Sequence, residues 1–149
     1  MAKRKEGMTG QSERSHGKDA ERAILVVEDD SLLADLLERK LKQEGFVCHV
    51  AVNTREAAQI LGTERIDLIL LDLVLPGVDG ISYLKKLKAD SAHRDIPVII
   101  ISNLLQEEEI RRGKAAGAVD YITKASTTPQ GIVRRVRSFF KKQHTRRAA

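Results

Sequence analysis

Chemically capable side chains follow four of the short apolar segments in this 149-residue chain. Acids follow the first and third segments, a hydroxyl closes the fourth, and a lysine closes the fifth. In chain order these residues are Glu28, Asp29, Asp30, Asp72, Ser102 and Lys124. Two carboxylates about 4 Å apart repel each other by roughly 4 kcal/mol at an effective dielectric constant near 20. If the segment ends meet in space, either one acid is protonated or a cation lies among the acids.

The donor atoms indicate which cation this would be. Oxygen ligands without histidine or cysteine suit a hard divalent ion, and the histidines at positions 16, 49, 93 and 144 show no metal-ligand spacing. We therefore predict Mg²⁺, with Mn²⁺ as the alternative. A carboxylate beside such an ion, with a hydroxyl and an ammonium opposite, can accept a phosphoryl group as an acyl phosphate. The cation, the lysine and the hydroxyl would neutralise charge on the phosphoryl oxygens.

Each of these residues also has an ordinary structural interpretation. Asp30 fits the N-cap of the following helix better than a metal ligand. Ser102 alone could cap the next helix, and Lys124 alone could be a solvated surface side chain. Their coincidence at the ends of four segments favours one common site.

Five apolar segments alternate with five segments of helical periodicity. We predict strands over 23–28, 47–52, 66–72, 96–102 and 119–123, and helices over 31–44, 53–61, 80–90, 105–116 and 129–142. This alternation predicts an α/β fold in which helices cover both faces of a five-stranded parallel sheet. Ligands of such sheets bind outside the carboxyl ends of the strands, where the acids, Ser102 and Lys124 would meet.

Composition limits the remaining possibilities. The single cysteine, Cys48, excludes an intrachain disulfide and a cysteine zinc site, and its apolar surroundings predict a buried, inert thiol. No apolar run approaches the ~20 residues of a membrane span, and the polar N-terminus lacks a signal peptide, so we expect a cytoplasmic protein without membrane contact. Residues 1–21 lack periodicity and predict a disordered polar extension.

The net charge of +5 is unevenly distributed. Residues 1–22 have six bases and four acids, residues 23–128 have 13 bases and 17 acids, and residues 129–149 have seven bases and no acid. The body of the chain is therefore acidic, unlike a nucleic-acid-binding domain, whereas its last segment is strongly basic. We divide the chain into the extension 1–21, a domain 22–142 and a basic tail 143–149.

Four stretches together resemble the receiver domain of two-component response regulators. They are ILVVEDD (24–30), LILLDLVLPGVDG (68–80), VIIIS (98–102) and AAGAVDYITK (115–124). The resemblance covers about residues 22–142 and implies a flavodoxin-like fold with strand order 2-1-3-4-5. It also implies a single-domain signalling protein similar to chemotaxis regulators, phosphorylated by a sensor histidine kinase or a histidine phosphotransfer protein.

The resemblance implies a role for each site residue. Asp72 would be the phosphoacceptor, and Asp29, Asp72 and the backbone carbonyl of Val74 would bind Mg²⁺, with Glu28 acting through a water. Lys124 would pair with the phosphoryl group. The two switch residues would be Ser102, which would bond the group and draw in the following loop, and Tyr121, which would report that shift on the surface formed by residues 105–124 and 132–140.

Three departures from the family pattern affect this reading. Ala125 follows Lys124 where the family usually has proline with a cis peptide bond, which before alanine would cost ~2.5–4 kcal/mol. Asn103 follows Ser102 where the family prefers alanine or glycine, and together with Val74 and Leu104 it would tune phosphoryl lifetime. The final helix has no acid, which weakens the case for a charge-paired dimer, so we expect a monomer or weak dimer.

The sequence can be compared with several classes of protein function. We expect a stand-alone receiver that signals to an unidentified downstream protein, has no DNA-binding domain, and catalyses only its own phosphorylation and slow dephosphorylation. A phosphatase of the haloacid dehalogenase type is rejected, because position 74, two after Asp72, is valine. A dinucleotide-binding protein is rejected because no glycine-rich turn follows the first strand. The alternative is a receiver fragment or adaptor whose basic tail binds nucleic acid or another polyanion.

Overall fold

A computed structural model describes residues 22–104 and 106–148, with side chains described through residue 144. The five main strands are β1 (Ala23–Val27), β2 (Val47–Ala51), β3 (Leu68–Asp72), β4 (Val98–Ser102) and β5 (Asp120–Thr123). The helices are α1 (Ser31–Gln43), α2 (Thr54–Thr63), α3 (Gly80–Ala89), α4 (Glu107–Ala115) and α5 (Pro129–Ala148). The predicted alternation is therefore confirmed, with most boundaries within two residues.

The main sheet is parallel throughout, and its strand order is β2-β1-β3-β4-β5, as the family resemblance implied. All five residues of β1, β3 and β4 are buried, which explains their uninterrupted apolar sequences. On one face, side chains of β1 and β3 pack against α2 and α3. On the other face they pack against α1 and α5, where Phe140 is fully enclosed. The molecule thus has two aliphatic cores separated by the sheet.

Polar caps fix where the first two helices begin. The Asp30 carboxylate accepts hydrogen bonds from the backbone N–H groups of Leu32 and Leu33, which confirms it as the N-cap of α1. Asn53 caps α2 by accepting from the Glu56 N–H at 2.8 Å. The Glu56 carboxylate in turn accepts a hydrogen bond from the N–H of Val52, the residue before the cap.

A short antiparallel ribbon between β3 and α3 is a feature that the sequence did not predict. It pairs Val74–Leu75 with Val78–Asp79 around Gly77, whose φ is +70°. The next glycine, Gly80, lies so close to the backbone that a Cβ there would be 2.4 Å from the Cα of Leu73. The ribbon and this close approach fix the segment that directly follows Asp72.

The helices α4 and α5 differ most in how much of each is buried against the sheet. α4 has no side-chain N-cap, and Gly113 is its only buried residue. α5 is 20 residues long and buries Ile132, Val133 and Val136 in addition to Phe140. It continues to Ala148 rather than ending at the predicted Lys142, so the predicted tail 143–149 is helical as far as residue 148.

Two further observations concern the predicted organisation. The disordered extension predicted for residues 1–21 lies outside the described residues. No helix in the described part of the chain is long and apolar enough to cross a membrane.

Candidate functional site

The carboxyl ends of β1 and β3 place three acids together. Glu28 follows β1, Asp29 comes next, and Asp72 is the last residue of the neighbouring strand β3. One carboxylate oxygen from each residue lies within 4.8 Å of the others. Glu28 and Asp72 are buried, whereas Asp29 is exposed to solvent. The predicted acidic cluster is therefore formed, with one side open.

Lys124 lies directly after β5 and reaches back to this cluster across the sheet edge. Its ammonium is 2.8 Å from Glu28 Oε1 and donates a hydrogen bond to Asp72 Oδ2 at 3.1 Å. Glu28 Oε1 is buried and accepts no well-directed hydrogen bond from the described residues, so its contact with Lys124 is an ion pair. One cation thus faces three acids, which leaves an excess of negative charge.

Burial and charge perturb the titration of this pair. Desolvation raises the pKa of Glu28, and the nearby Asp72 adds to the effect, although Lys124 and the Asp30 N–H oppose it. Desolvation alone would lower the pKa of Lys124, but its bonds to Glu28 and Asp72 outweigh burial and raise it. Lys124 is therefore held as a charged ammonium, whereas burial disfavours the negative charge of Glu28.

Ser102 ends β4 at the same rim and is fully buried. Its hydroxyl oxygen accepts a hydrogen bond from the Leu104 N–H at 3.0 Å. The Leu104 carbonyl in turn accepts a hydrogen bond from the hydroxyl of Tyr121, which is a buried residue of β5. A chain of two hydrogen bonds therefore joins Ser102 to Tyr121 through the backbone of Leu104.

The comparisons with known proteins agree with this arrangement. A family model described as the response regulator receiver domain matches residues 24–137. The chain belongs to the response regulator receiver domain family. Phosphoryl acceptance is general to the receiver domains of this family.

Curated relatives include transcriptional regulators. This receiver is 40% identical over 121 residues to the phosphate regulon transcriptional regulatory protein PhoB of Escherichia coli (strain K12). It is 34% identical to the protein of the same name from Pseudomonas aeruginosa. Both matches cover 81% of this chain and 52% of the relative, so the receiver spans about half the length of these relatives.

Solved receiver structures have the same fold. The Francisella response regulator 1452 receiver domain has a TM-score of 0.73 at 32% identity, covering 82% of this chain and 98% of that chain. The Mn²⁺-bound form of response regulator Rcp1 has a TM-score of 0.70 at 25% identity, covering 80% and 94%. The BeF3-activated DrrB receiver domain has a TM-score of 0.70 at 27% identity, covering 80% and 97%.

Two hydrophobic side chains and one amide border the site of this receiver. Val74 is 57% exposed, and its N–H donates to Asp72 Oδ1 at 3.0 Å. Asn103 is exposed and Leu104 is half-buried. The structure therefore places all three predicted tuning residues next to Asp72 or Ser102 in the chain, with Val74 and Asn103 open to solvent.

The segment after Lys124 departs from the family as the sequence indicated. The Lys124–Ala125 peptide bond is trans, and Lys124–Ser126 forms one turn of 3₁₀ helix. Ser126 closes this turn by donating its hydroxyl to the Thr123 carbonyl. The receiver thus directs Lys124 into the acidic cluster without a cis bond at this position.

Sequence reasoning missed one contact of the site. The Asp30 N–H donates a hydrogen bond to Glu28 Oε2 at 3.0 Å, so Asp30 helps to hold Glu28 in addition to capping α1. The run of three acids at 28–30 was visible in the sequence, but the direction of a backbone N–H was not.

Proposed function

We propose that this receiver accepts a phosphoryl group on Asp72 from a phosphohistidine of a sensor histidine kinase or a histidine phosphotransfer protein. The observation that carries the proposal is that the Asp72 carboxylate accepts a hydrogen bond from the ammonium of Lys124 and lies within 4.8 Å of carboxylate oxygens of Glu28 and Asp29. A nucleophilic carboxylate, a fixed cation and an acidic ligand set are the groups that aspartyl phosphorylation requires.

In the proposed transfer, one bond to phosphorus forms as another breaks. A carboxylate oxygen of Asp72 forms a bond to phosphorus as the bond between phosphorus and the imidazole nitrogen breaks. The electron pair of that bond returns to the imidazole, which takes up a proton from solvent. Lys124 and the Ser102 hydroxyl are placed to bind phosphoryl oxygens, and binding by Ser102 would require its oxygen to change hydrogen-bonding partners from the Leu104 N–H.

The residues of the cluster fit a hard divalent cation. Their donors are all carboxylate oxygens, and Lys124, which contacts both Glu28 and Asp72, can balance only one of the three negative charges. We propose that Asp29, Asp72 and the Val74 carbonyl bind Mg²⁺ or Mn²⁺ directly and that Glu28 acts through a water. When bound, the ion would add positive charge beside the phosphoryl oxygens. The Mn²⁺-bound form of Rcp1 supports this assignment by similarity.

We further propose that phosphorylation is signalled through Ser102 and Tyr121 to a downstream protein that binds the surface formed by α4, β5 and α5. The hydrogen bonds through Leu104 provide a direct link from the site to this surface. The BeF3-activated form of the similar DrrB receiver supports a site that switches state. The longer relatives are named transcriptional regulatory proteins, and that function belongs to those proteins.

Phosphotransfer to the Asp72→Asn variant tests the proposal. The wild type is expected to acquire an acid-stable, base-labile acyl phosphate from a radiolabelled histidine kinase in the presence of Mg²⁺. The Asp72→Asn variant should acquire none, whereas Asp35→Asn, which neutralises an exposed acid of α1, should be labelled like the wild type. Undiminished labelling of Asp72→Asn would reject Asp72 as the phosphoacceptor.

A further inference from the structure

The exposed side of α5 is a basic surface that the phosphorylation chemistry does not use. Arg134, Arg135, Arg137, Lys141 and Lys142 are all exposed, and no acid occurs anywhere in residues 129–149. Two of these side chains are committed within the fold, because Arg135 makes a bidentate ion pair with Asp120 and Arg137 pairs with Glu44. The other three have no carboxylate partner among the described residues.

A depression of about 820 Å³ lies on one side of α5. Its lining includes the cations Lys142 and Arg135 of α5 and Arg94 of the segment before β4, together with the acids Asp95 and Asp120. Lys88, also in the lining, donates its ammonium protons to the carbonyls of Arg94 and Ile96, so its charge is fixed at the floor. Arg94 and Lys142 are exposed and unpaired with any acid in the described part of the chain.

A second depression, of about 540 Å³, lies along the same helix beside the first. Its cations are Arg134, Arg135, Arg137 and Lys141, and it shares Arg135 and Ser138 with the first depression. Arg134 and Lys141 are seven residues apart, so they lie on the same side of the helix about 10 Å apart along its axis. The exposed side of α5 is therefore a basic ridge that borders both depressions.

The unpaired cations on the exposed side of α5 favour phosphates over an apolar protein surface or a membrane. Protein interfaces are anchored by buried aromatic and apolar side chains, but the only aromatic residue lining either depression is Phe139, which is half-buried. Helices that lie on membranes need an exposed apolar face, whereas the apolar face of α5 is buried against the sheet. Unpaired Arg and Lys side chains with a Ser hydroxyl suit phosphate oxygens.

We infer that the α5 ridge, with Arg94, Arg134, Lys141 and Lys142 as its available cations, is a docking surface for the phosphate backbone of duplex DNA. The major groove of B-DNA is about 12 Å wide and admits an α-helix. The deep, narrow major groove of A-form RNA does not admit one. The acids at 28–30 and Asp72 would repel DNA from the phosphorylation rim, which favours this one orientation.

Fluorescence anisotropy with a labelled random duplex of about 20 base pairs tests the inference on the full chain. Four available cations predict that log K falls with log salt concentration with a slope of about −3 to −4. The Arg134→Gln/Lys141→Gln variant should bind roughly tenfold more weakly at about 50 mM salt and halve the slope. The control Arg55→Gln/Lys85→Gln removes the same charge from exposed positions on α2 and α3, across the sheet, and should bind like the wild type. Thermal melting checks that both variants are folded.

Three outcomes would overturn the inference. The first is no binding by the wild type, or binding without salt dependence. The second is an equal loss in the α5 variant and the control, which would indicate attraction by net charge alone. The third is equal or tighter binding of duplex RNA, of poly-glutamate or of vesicles containing phosphatidylserine, which would assign the surface to another polyanion.

Discussion

The hydroxyl of Tyr121 donates a hydrogen bond to the backbone carbonyl of Leu104, 3.0 Å away. This bond crosses from β5 to the loop after β4, and the N–H of the same Leu104 is bonded to Ser102. A single backbone unit is therefore held from one side by the proposed phosphoryl-binding hydroxyl and from the other by an aromatic side chain.

We predict that Tyr121→Phe lowers the free energy of unfolding by about 1 kcal/mol, because it removes this hydrogen bond from a buried hydroxyl. Urea denaturation would measure the change. Tyr83→Phe is the matched control, since the Tyr83 hydroxyl of α3 makes no described hydrogen bond, and it should lower the free energy of unfolding by less.

In NMR spectra, phosphorylation of Tyr121→Phe should also shift the resonances of α4 less than phosphorylation of the wild type does. Identical shifts would argue against a role of Tyr121 in signalling.

Mg²⁺ should stabilise the folded protein, because the ion would bind the native cluster and not the unfolded chain. At a concentration tenfold above Kd the gain is about 1.4 kcal/mol, which corresponds to an increase in Tm of roughly 3–6 °C. Asp29→Asn should abolish the response, and Asp35→Asn, at an exposed position on α1, should retain it. A wild-type melting curve that is insensitive to millimolar Mg²⁺ would contradict the proposed metal site.

The phosphorylated protein should be long-lived. Val74 and Leu104 follow Asp72 and Ser102 by two positions, and neither side chain can hydrogen-bond a water that would attack the acyl phosphate. We expect the Val74→Asn/Leu104→Glu variant to lose its phosphoryl group roughly tenfold faster, because both new side chains can orient such a water. The measurement is decay of the labelled protein in Mg²⁺ buffer. Equal or slower decay in the double variant would show that hydrolysis is controlled elsewhere.

Cys48 should make stability fall at alkaline pH. Burial raises the pKa of its thiol to about 12, and Glu38 adds to the effect. The unfolded thiol ionises near pH 9 and the folded thiol near pH 12, so stability from the neutral thiol is complete below pH 9 and is lost as pH rises toward 12.

We therefore expect the wild type to lose about 2 kcal/mol more than Cys48→Ala between pH 8 and pH 10.5, measured by urea denaturation. The predicted inert thiol also implies slow alkylation of the native protein and rapid alkylation in denaturant. Parallel pH profiles for the two proteins would show that Cys48 ionises as readily in the fold as in the unfolded chain.

Much of the fold follows from local sequence patterns. The apolar segments ending at Glu28, Asp72 and Ser102 could be located because strands covered on both faces have few polar residues. Helix ends were predictable where one side chain determines them, as at Asp30 and Asn53. Glycine follows the ends of α1 and α4, with φ of 95° at Gly45 and 117° at Gly117.

The structure differs from the sequence-based prediction where a feature depends on more than one secondary-structure element. α5 continues past Lys142 because nothing in the sequence at 143–148 breaks a helix, and the predicted boundary rested only on where its apolar face ends. α4 begins at Glu107 rather than at residue 105, which lies outside the described residues. The contact of Lys124 with both Glu28 and Asp72 depends on three strands that are distant in sequence, so spacing alone could indicate their meeting but not its geometry.

Because α4 is loosely attached, little free energy is needed to shift it when the phosphorylation site changes. A helix whose only buried residue is a glycine, and whose first turn has no side-chain cap, gives up little hydrophobic contact when it shifts or locally unwinds. One hydrogen bond gained or lost near Ser102 is worth about 1 kcal/mol, which is comparable with that small loss. We therefore predict that α4 is the element that a chemical event at Asp72 displaces most readily, and that hydrogen exchange is fastest there among the five helices.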